Sequence, residues 1–396
     1  MKSGRSHSDF PDDDHYHDDP VTQHSPRTSR SKVAALAMAV LAGGLYLNGT
    51  LAANITLRSG NPIEYGQAAN LAVACSGASD IAVIPQSTFV NAANGTGTHY
   101  LKSITVSNIP AECYGEDFNL SVFNSSGNTP ISLAGNSTTS VAVYNDNGSF
   151  RLSPMAPATI SSGSGSFVLT FPSPIATSTS AVKFTIQSGV HVPFCDENSG
   201  SCLGKKGPGG GTVFYQAATP FSCGPTLNLT CKFLEYAPKT WYASDGYGQW
   251  QSQGGSINIP GLPDVGSATY TASDLGLGYQ NSLAIISALS SDTGAAAFKA
   301  RSYSGGGFTD WYLPTLSELN LMCQWNRGVT LDVTTACAGG IFPSTDFDSG
   351  QKWWTSTEKD ANTVWMINFG NSPNPAVVAE QKGNQGNHRT RAIRAF

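Results

Sequence analysis

Charge is what this 396-residue chain lacks most. Asp, Glu, Lys and Arg make up 12% of it, about half the ~25% usual in soluble globular domains. That scarcity excludes coiled coils and long polar-faced helical bundles, which carry their solubility on such residues. A basic excess is also lacking: 22 Lys and Arg face 27 Asp and Glu, for a net charge of −5. Nothing is left over to displace counterions from phosphates, so nucleic acid is not an expected partner. No Cys-x-x-Cys occurs, and beyond residue 53 only His99, His191 and His388 remain, so zinc lacks its ligand spacing. The motifs Gly-x-Ser-x-Gly and His-Glu-x-x-His are missing as well. The chain therefore reads as a non-enzyme with no cofactor.

What is present favours turns and strands. There are 42 Gly and 22 Pro, with abundant Ser, Thr and Asn, the composition of a β-rich exported protein. Residues 1–32 hold Asp12, Asp13, Asp14, Asp18 and Asp19 with four of the seven histidines, and too few apolar side chains to offset chain entropy. They are expected to be a disordered tail. Arg27, Arg30 and Lys32 then precede an uncharged, largely apolar stretch, so residues 33–53 read as a signal peptide or an uncleaved membrane anchor. Either reading places the rest of the chain outside the cytoplasm. All eight cysteines lie beyond this segment, and an even number in an exported chain reads as disulfides. Of the 105 possible pairings, sequence order favours Cys75–Cys113, Cys195–Cys202, Cys223–Cys231 and Cys323–Cys337.

Hydrophobic period divides the exported part in two. Over residues 54–190 apolar side chains alternate with small or polar ones: Leu71, Val73 and Cys75; Phe118, Leu120 and Val122; Phe167, Leu169 and Phe171; Val182, Phe184 and Ile186. Short alternating runs between Gly, Asn and Ser clusters predict an all-β sandwich, with Cys75 facing inward from its strand. All seven tryptophans fall later, from Trp241 to Trp365. The boundary is placed in residues 191–203, a linker pinned by Cys195 and Cys202. Residues 204–396 mix periods. A strand is expected at 212–215, helices at 292–303 and from the capping box Thr315-Leu316-Ser317-Glu318, and strands at 363–369, 376–380 and 390–396. The last of these is expected to pair with an early strand and close the domain.

Several motifs in this second part carry a resemblance. They are Gly207-Pro208-Gly209-Gly210-Gly211 with Val213-Phe214-Tyr215; Cys231-Lys232-Phe233-Leu234-Glu235-Tyr236-Ala237-Pro238; Gly305-Gly306-Gly307 with Asp310-Trp311-Tyr312-Leu313-Pro314-Thr315; Trp353-Trp354-Thr355-Ser356-Thr357-Glu358; and Arg391-Ala392-Ile393-Arg394-Ala395-Phe396. In this order they resemble the bacterial Lcl C-terminal-like domain family of the C-type-lectin-like fold group. The resemblance implies an α+β domain of two helices on a twisted antiparallel sheet, adjacent termini, and binding rather than catalysis. Related folds include formylglycine-generating enzymes with reactive cysteines, which gives an alternative enzymatic reading. A structural subunit of the cell envelope is another.

Trp353 and Trp354, adjacent in a strand, are expected on opposite faces, one in the core and one more exposed. Asp346, Asp348, Glu358 and Asp360 offer oxygen ligands, but the Glu-Pro-Asn and Trp-Asn-Asp elements of calcium lectins are absent, so no metal is expected. Neutral amides bind polar ligands without the desolvation cost of a charge. The amide-rich stretch near the end therefore supplies the candidate ligand-binding set: Trp354, Lys359, Asn362, Asn371, Asn374, Gln381, Asn384, Asn387 and His388. The expected ligand is a glycan or protein at the cell exterior.

Overall fold

A computed structural model describes residues 53–54, 69–71, 73–91, 97–124, 129–133, 139–173, 175, 183–252, 257–290, 292–341, 346–348, 350–370, 375–383 and 388–396. They belong to one compact unit, Gly49–Phe396. In its first half, β1 (Ala53–Asn54), β5 (Glu116–Phe123), β6 (Ser140–Asp146), β7 (Ser149–Leu152) and β10 (Lys183–Val190) form a sheet in the order β1-β10-β5-β6-β7. A second sheet has the order β2-β3-β4-β9-β8, from β2 (Ala69–Leu71), β3 (Ile81–Asn91), β4 (Gly97–Ser107), β8 (Thr159–Gly163) and β9 (Ser166–Thr170). Every pairing is antiparallel. Phe118, Leu120, Val122, Phe184 and Ile186 from one sheet meet Ile81, Val83, Ile104, Phe167 and Leu169 from the other in a single core. The period-two alternation is thus the inner face of a β-sandwich.

Cys75 departs from its expected place. The strand ends at Leu71, and Cys75 lies half-buried in a 3-10 turn, Ala74–Ser76. Ser76 closes that turn, its hydroxyl accepting from the Val73 N–H at 3.0 Å and donating to the Val73 carbonyl. The alternation was broken by a local side-chain bond that competes with the ladder. The bridge to Cys113 forms all the same, as do Cys195–Cys202, Cys223–Cys231 and Cys323–Cys337.

The second half has two three-stranded antiparallel sheets. One is β11 (Thr212–Cys223), β12 (Leu229–Tyr236) and β16 (Ile393–Ala395); the other is β13 (Lys352–Glu358), β14 (Thr363–Asn368) and β15 (Ala376–Gln381). The chain's last strand does pair with an early one, Leu234 opposite Ala395. Among the described residues three α-helices accompany these sheets where two were expected: α1 (Leu277–Ala288), α2 (Ala296–Ser302) and α3 (Leu316–Asn326). Helix α1 has no charged residue and starts from Gly276 in a left-handed conformation, so no capping side chain announced it. Helix α2 is shorter than its pattern because Asp292 leaves the helix to accept from the Ser252 N–H at 2.5 Å. Helix α3 begins as the capping box predicts: Thr315 Oγ1 accepts from the Glu318 N–H, and Glu318 Oε2 from the Thr315 N–H.

The β13–β14–β15 sheet is covered on both sides. Trp353, Trp365 and Ile367 pack with Leu319 and Met322 of α3, while Trp354, Val364 and Met366 pack with Trp250, Trp311, Ile285 and Ala297. Trp353 and Trp354 do face opposite ways, but both are 0% exposed. The expectation that one reaches solvent fails because α1 and α2 cover the second face. Replacing Trp354 with Ala is expected to cost about 3–5 kcal/mol, read as a lower denaturation midpoint in urea. A variant as stable as the parent would mean that the side chain is not buried.

Candidate functional site

Four of the five motifs that carry the resemblance converge on one buried carboxylate. Glu235 on β12 has no exposed surface. Its Oε1 accepts from the Gly209 N–H at 3.0 Å and from Arg394 at 3.1 Å, and its Oε2 accepts from the Gly211 N–H at 3.1 Å. A Cβ at Gly209 would fall on the Trp311 ring and 2.8 Å from Glu235 Oε1, so only glycine lets the backbone approach this closely. Arg394 also donates to Asp310 at 2.5 Å and lies 3.8 Å from the Phe308 ring centre. Burial pushes the Glu235 pKa up, while Arg394 and the two glycine donors oppose the shift. The remaining motif, Trp353–Glu358, docks on the Asp310–Thr315 motif: the Ser356 N–H donates to the Pro314 carbonyl at 2.7 Å, and the Leu316 N–H to Thr357 Oγ1 at 2.9 Å. These motifs are bonded chiefly to one another, as a framework.

Among the described residues, the members of the predicted ligand-binding set lie in different surroundings. Trp354 is interior, its Nε1 donating to the Gly248 carbonyl at 2.9 Å. His388 is nearly buried with it, ring centres 4.9 Å apart, and lies 3.5 Å from Glu380. Lys359, Asn362 and Gln381 share one end of the β14–β15 pair, where Lys359 lies 5.4 Å from the Trp365 ring centre and Asn362 and Gln381 are exposed. Beneath them, fully buried Lys382 pairs with Glu358 and donates to the carbonyls of Ile257 and Ala361. Asn368 and Ala376 mark the sheet's opposite end, about 17 Å away along β14 at strand rise. Asn371, Asn374, Asn384 and Asn387 lie outside the described residues. Among the carboxylates weighed for calcium, each accepts from protein donors. Asp346 takes the Tyr236 hydroxyl, Asp348 takes Lys239, Glu358 takes Lys382, and Asp360 takes the amides of Asn362 and Thr363.

A different group of residues surrounds an open cleft of about 530 Å³, lined by Lys239, Thr240, Tyr242, Ala243, Asp245, Asp348 and Arg389. Its floor is rigid. Buried Asp245 accepts from Arg391 at 2.5 and 2.9 Å and from Trp241 Nε1 at 3.0 Å, and Arg391 stacks 4.4 Å from the Phe347 ring centre. Its rim is accessible. Asp348 receives Lys239 at 2.6 Å and Arg389 at 3.1 Å, so two cations share one acid. The Lys239 ammonium beside Asp348 holds that carboxyl below its ordinary value, with burial opposing. Arg389 lies 5.1 Å from the Tyr247 ring centre, and Tyr242 is 39% exposed. Residues in reach of a ligand are therefore a cationic pair, a carboxylate and an aromatic face. Lys239, Tyr242 and Arg389 were missed in the sequence; the one local signal was that Lys239 follows Ala237-Pro238 and Arg389 follows His388.

Comparison with family models, with characterised proteins and with solved structures gives no match for this chain.

Glu235→Ala would leave Arg394 with Asp310 as its remaining carboxylate partner and strand two buried glycine amides without their acceptor. It is expected to destabilise the protein by about 3–5 kcal/mol, measured by urea unfolding followed through tryptophan fluorescence. A change below about 1 kcal/mol would show that the network is dispensable.

Proposed function

We propose that this chain is an exported binding protein, displayed at the cell surface or secreted. In this reading a β-sandwich carries a C-type-lectin-like module that recognises a glycan or protein. Four disulfides support the compartment, because such bonds form and persist where the surroundings are oxidising. All eight cysteines are paired, which leaves no thiol for chemistry of the formylglycine-generating kind. Among the described residues no helix is long and apolar enough to cross a membrane; the segment read as signal or anchor lies outside them except for Ala53.

The observation that carries the reading is the contrast between floor and rim in the Lys239–Asp348–Arg389 cleft. A floor locked by Arg391 and Asp245 loses little freedom on binding, so rim contacts are not spent on ordering the site. Tyr242 offers a flat apolar face to sugar C–H surface, and the rim charges offer donors and an acceptor to hydroxyls or acidic groups.

The full chain is expected to bind a component on a glycan array or on intact cell surfaces. Lys239→Ala and Tyr242→Ala, each at an exposed side chain, are expected to weaken that binding about tenfold, or ~1.4 kcal/mol, without lowering the melting temperature. Binding that survives both substitutions would move the site elsewhere; no binding to any surface component would remove the reading.

A further inference from the structure

His191 is the first residue after β10, where the chain leaves the sandwich. Both of its ring nitrogens face carboxylates. Nδ1 lies 2.7 Å from Oδ1 of Asp117 on β5, and Nε2 lies 2.9 Å from Oε2 of Glu197, inside the loop closed by Cys195–Cys202. A neutral imidazole has one donor; only the protonated ring donates to both. Tyr144 of β6 stacks on the ring at 3.6 Å between centres, and Phe194 meets it edge-on at 5.3 Å.

The surrounding charges fix this arrangement. Asp117 Oδ2 accepts from the Val192 N–H at 2.8 Å, and Glu197 Oε2 from the Phe194 N–H at 3.1 Å. Arg151 of β7 reaches Glu197 at 3.0 Å, with Asp146 of β6 3.9 Å behind it. On the loop's far side Asp196 faces Lys232 of β12 at 3.9 Å. The same loop is tied to the second half of the molecule: the Cys202 N–H donates to Gln216 of β11 at 2.8 Å, and Gln216 Nε2 donates to the Gly200 carbonyl at 3.3 Å. One edge is thus gripped by the sandwich and the other by β11.

Beside the loop an open cleft of about 530 Å³ lies between Leu152, Pro154 and Ile160 on the sandwich and Pro208, Phe308 and Phe396 on the second half, and Asp196 is part of its wall.

We infer that His191 is a proton-operated clasp. While the ring carries its second proton, it holds Glu197, and with it the Cys195–Cys202 loop, against the sandwich. When that proton leaves, one carboxylate loses its donor, the loop loosens, and the second half turns about it into the adjoining space. Burial alone would lower the His191 pKa, but hydrogen bonds and attraction from Asp117 and Glu197 outweigh it and hold the ring above 6.5. Burial alone would raise Glu197, but His191, the Phe194 amide and Arg151 hold it below its ordinary value. The second proton's contribution is therefore complete below pH 6.5 and fades as pH rises through the raised value.

The test uses the full chain. The His191 ring is titrated by NMR, amide exchange of residues 192–203 is followed at about pH 6 and about pH 9 with intrinsic rates corrected, and small-angle scattering is recorded at both. Expected are a midpoint above 6.5, protection of the Val192 and Phe194 amides about tenfold lower at the higher pH, and a smaller radius of gyration there as the cleft closes. His191→Gln, which stays neutral, is expected to show at about pH 6 the loop exchange that the parent shows at about pH 9. A midpoint at or below 6.5, loop protection unchanged with pH, or scattering that does not change would each overturn the clasp. If the variant does not fold, the parent's titration, exchange and scattering decide alone.

Discussion

A carboxylate without water organises the second half of this protein. Glu235 is stable in its dry position only while Arg394 and the amides of Gly209 and Gly211 surround it. That requirement explains several features together. The glycine run must be free of side chains, Trp311 must lie flat against it, and the chain's last strand must return to β12 to deliver Arg394. A charge isolated from solvent tolerates few geometries, so satisfying it selects one arrangement of segments far apart in sequence. Residues 209, 235 and 394 meet because each would be costly to leave alone, and partly exposed Asp310 gives Arg394 a second acceptor.

The same logic recurs at Arg391 with Asp245 and at Lys382 with Glu358. A chain so poor in charge places three of its ion pairs in the interior of one half. The exposed charges, among them Glu112, Lys205, Asp264 and Lys239, are scattered over the surface. Interior pairs hold the fold, while the rim charges stay within reach of solvent.

Much of the architecture was legible in the sequence, for identifiable reasons. Phe118, Leu120 and Val122 declared a strand because one face of the sandwich is wet and the other dry, which imposes period two. Thr315 and Glu318 declared a helix start because a capping box is a local bond. Cysteine order gave the bridges because each closes between neighbours in sequence. Where two faces are both dry, the signal disappears: β13 and β14 bury every side chain from Trp353 to Ser356 and from Val364 to Ile367, so nothing distinguishes inside from outside. Helix α1 was silent because its start is a backbone conformation at Gly276 and not a side chain. The cleft was the least legible, since the stretch carrying Lys239 and Tyr242, then Asp348, then Arg389 are three separate segments joined only by folding.

Each disulfide closes within its own neighbourhood, over 38, 7, 8 and 14 residues. None links the sandwich to the second half. Under a pulling force applied through its ends, the oxidised polypeptide would come apart as two unequal bodies, each still carrying its own covalent rings. The widest ring alone withholds on the order of 130 Å of contour length from extension. Extension under load would thus proceed in steps and stop short of full stretch.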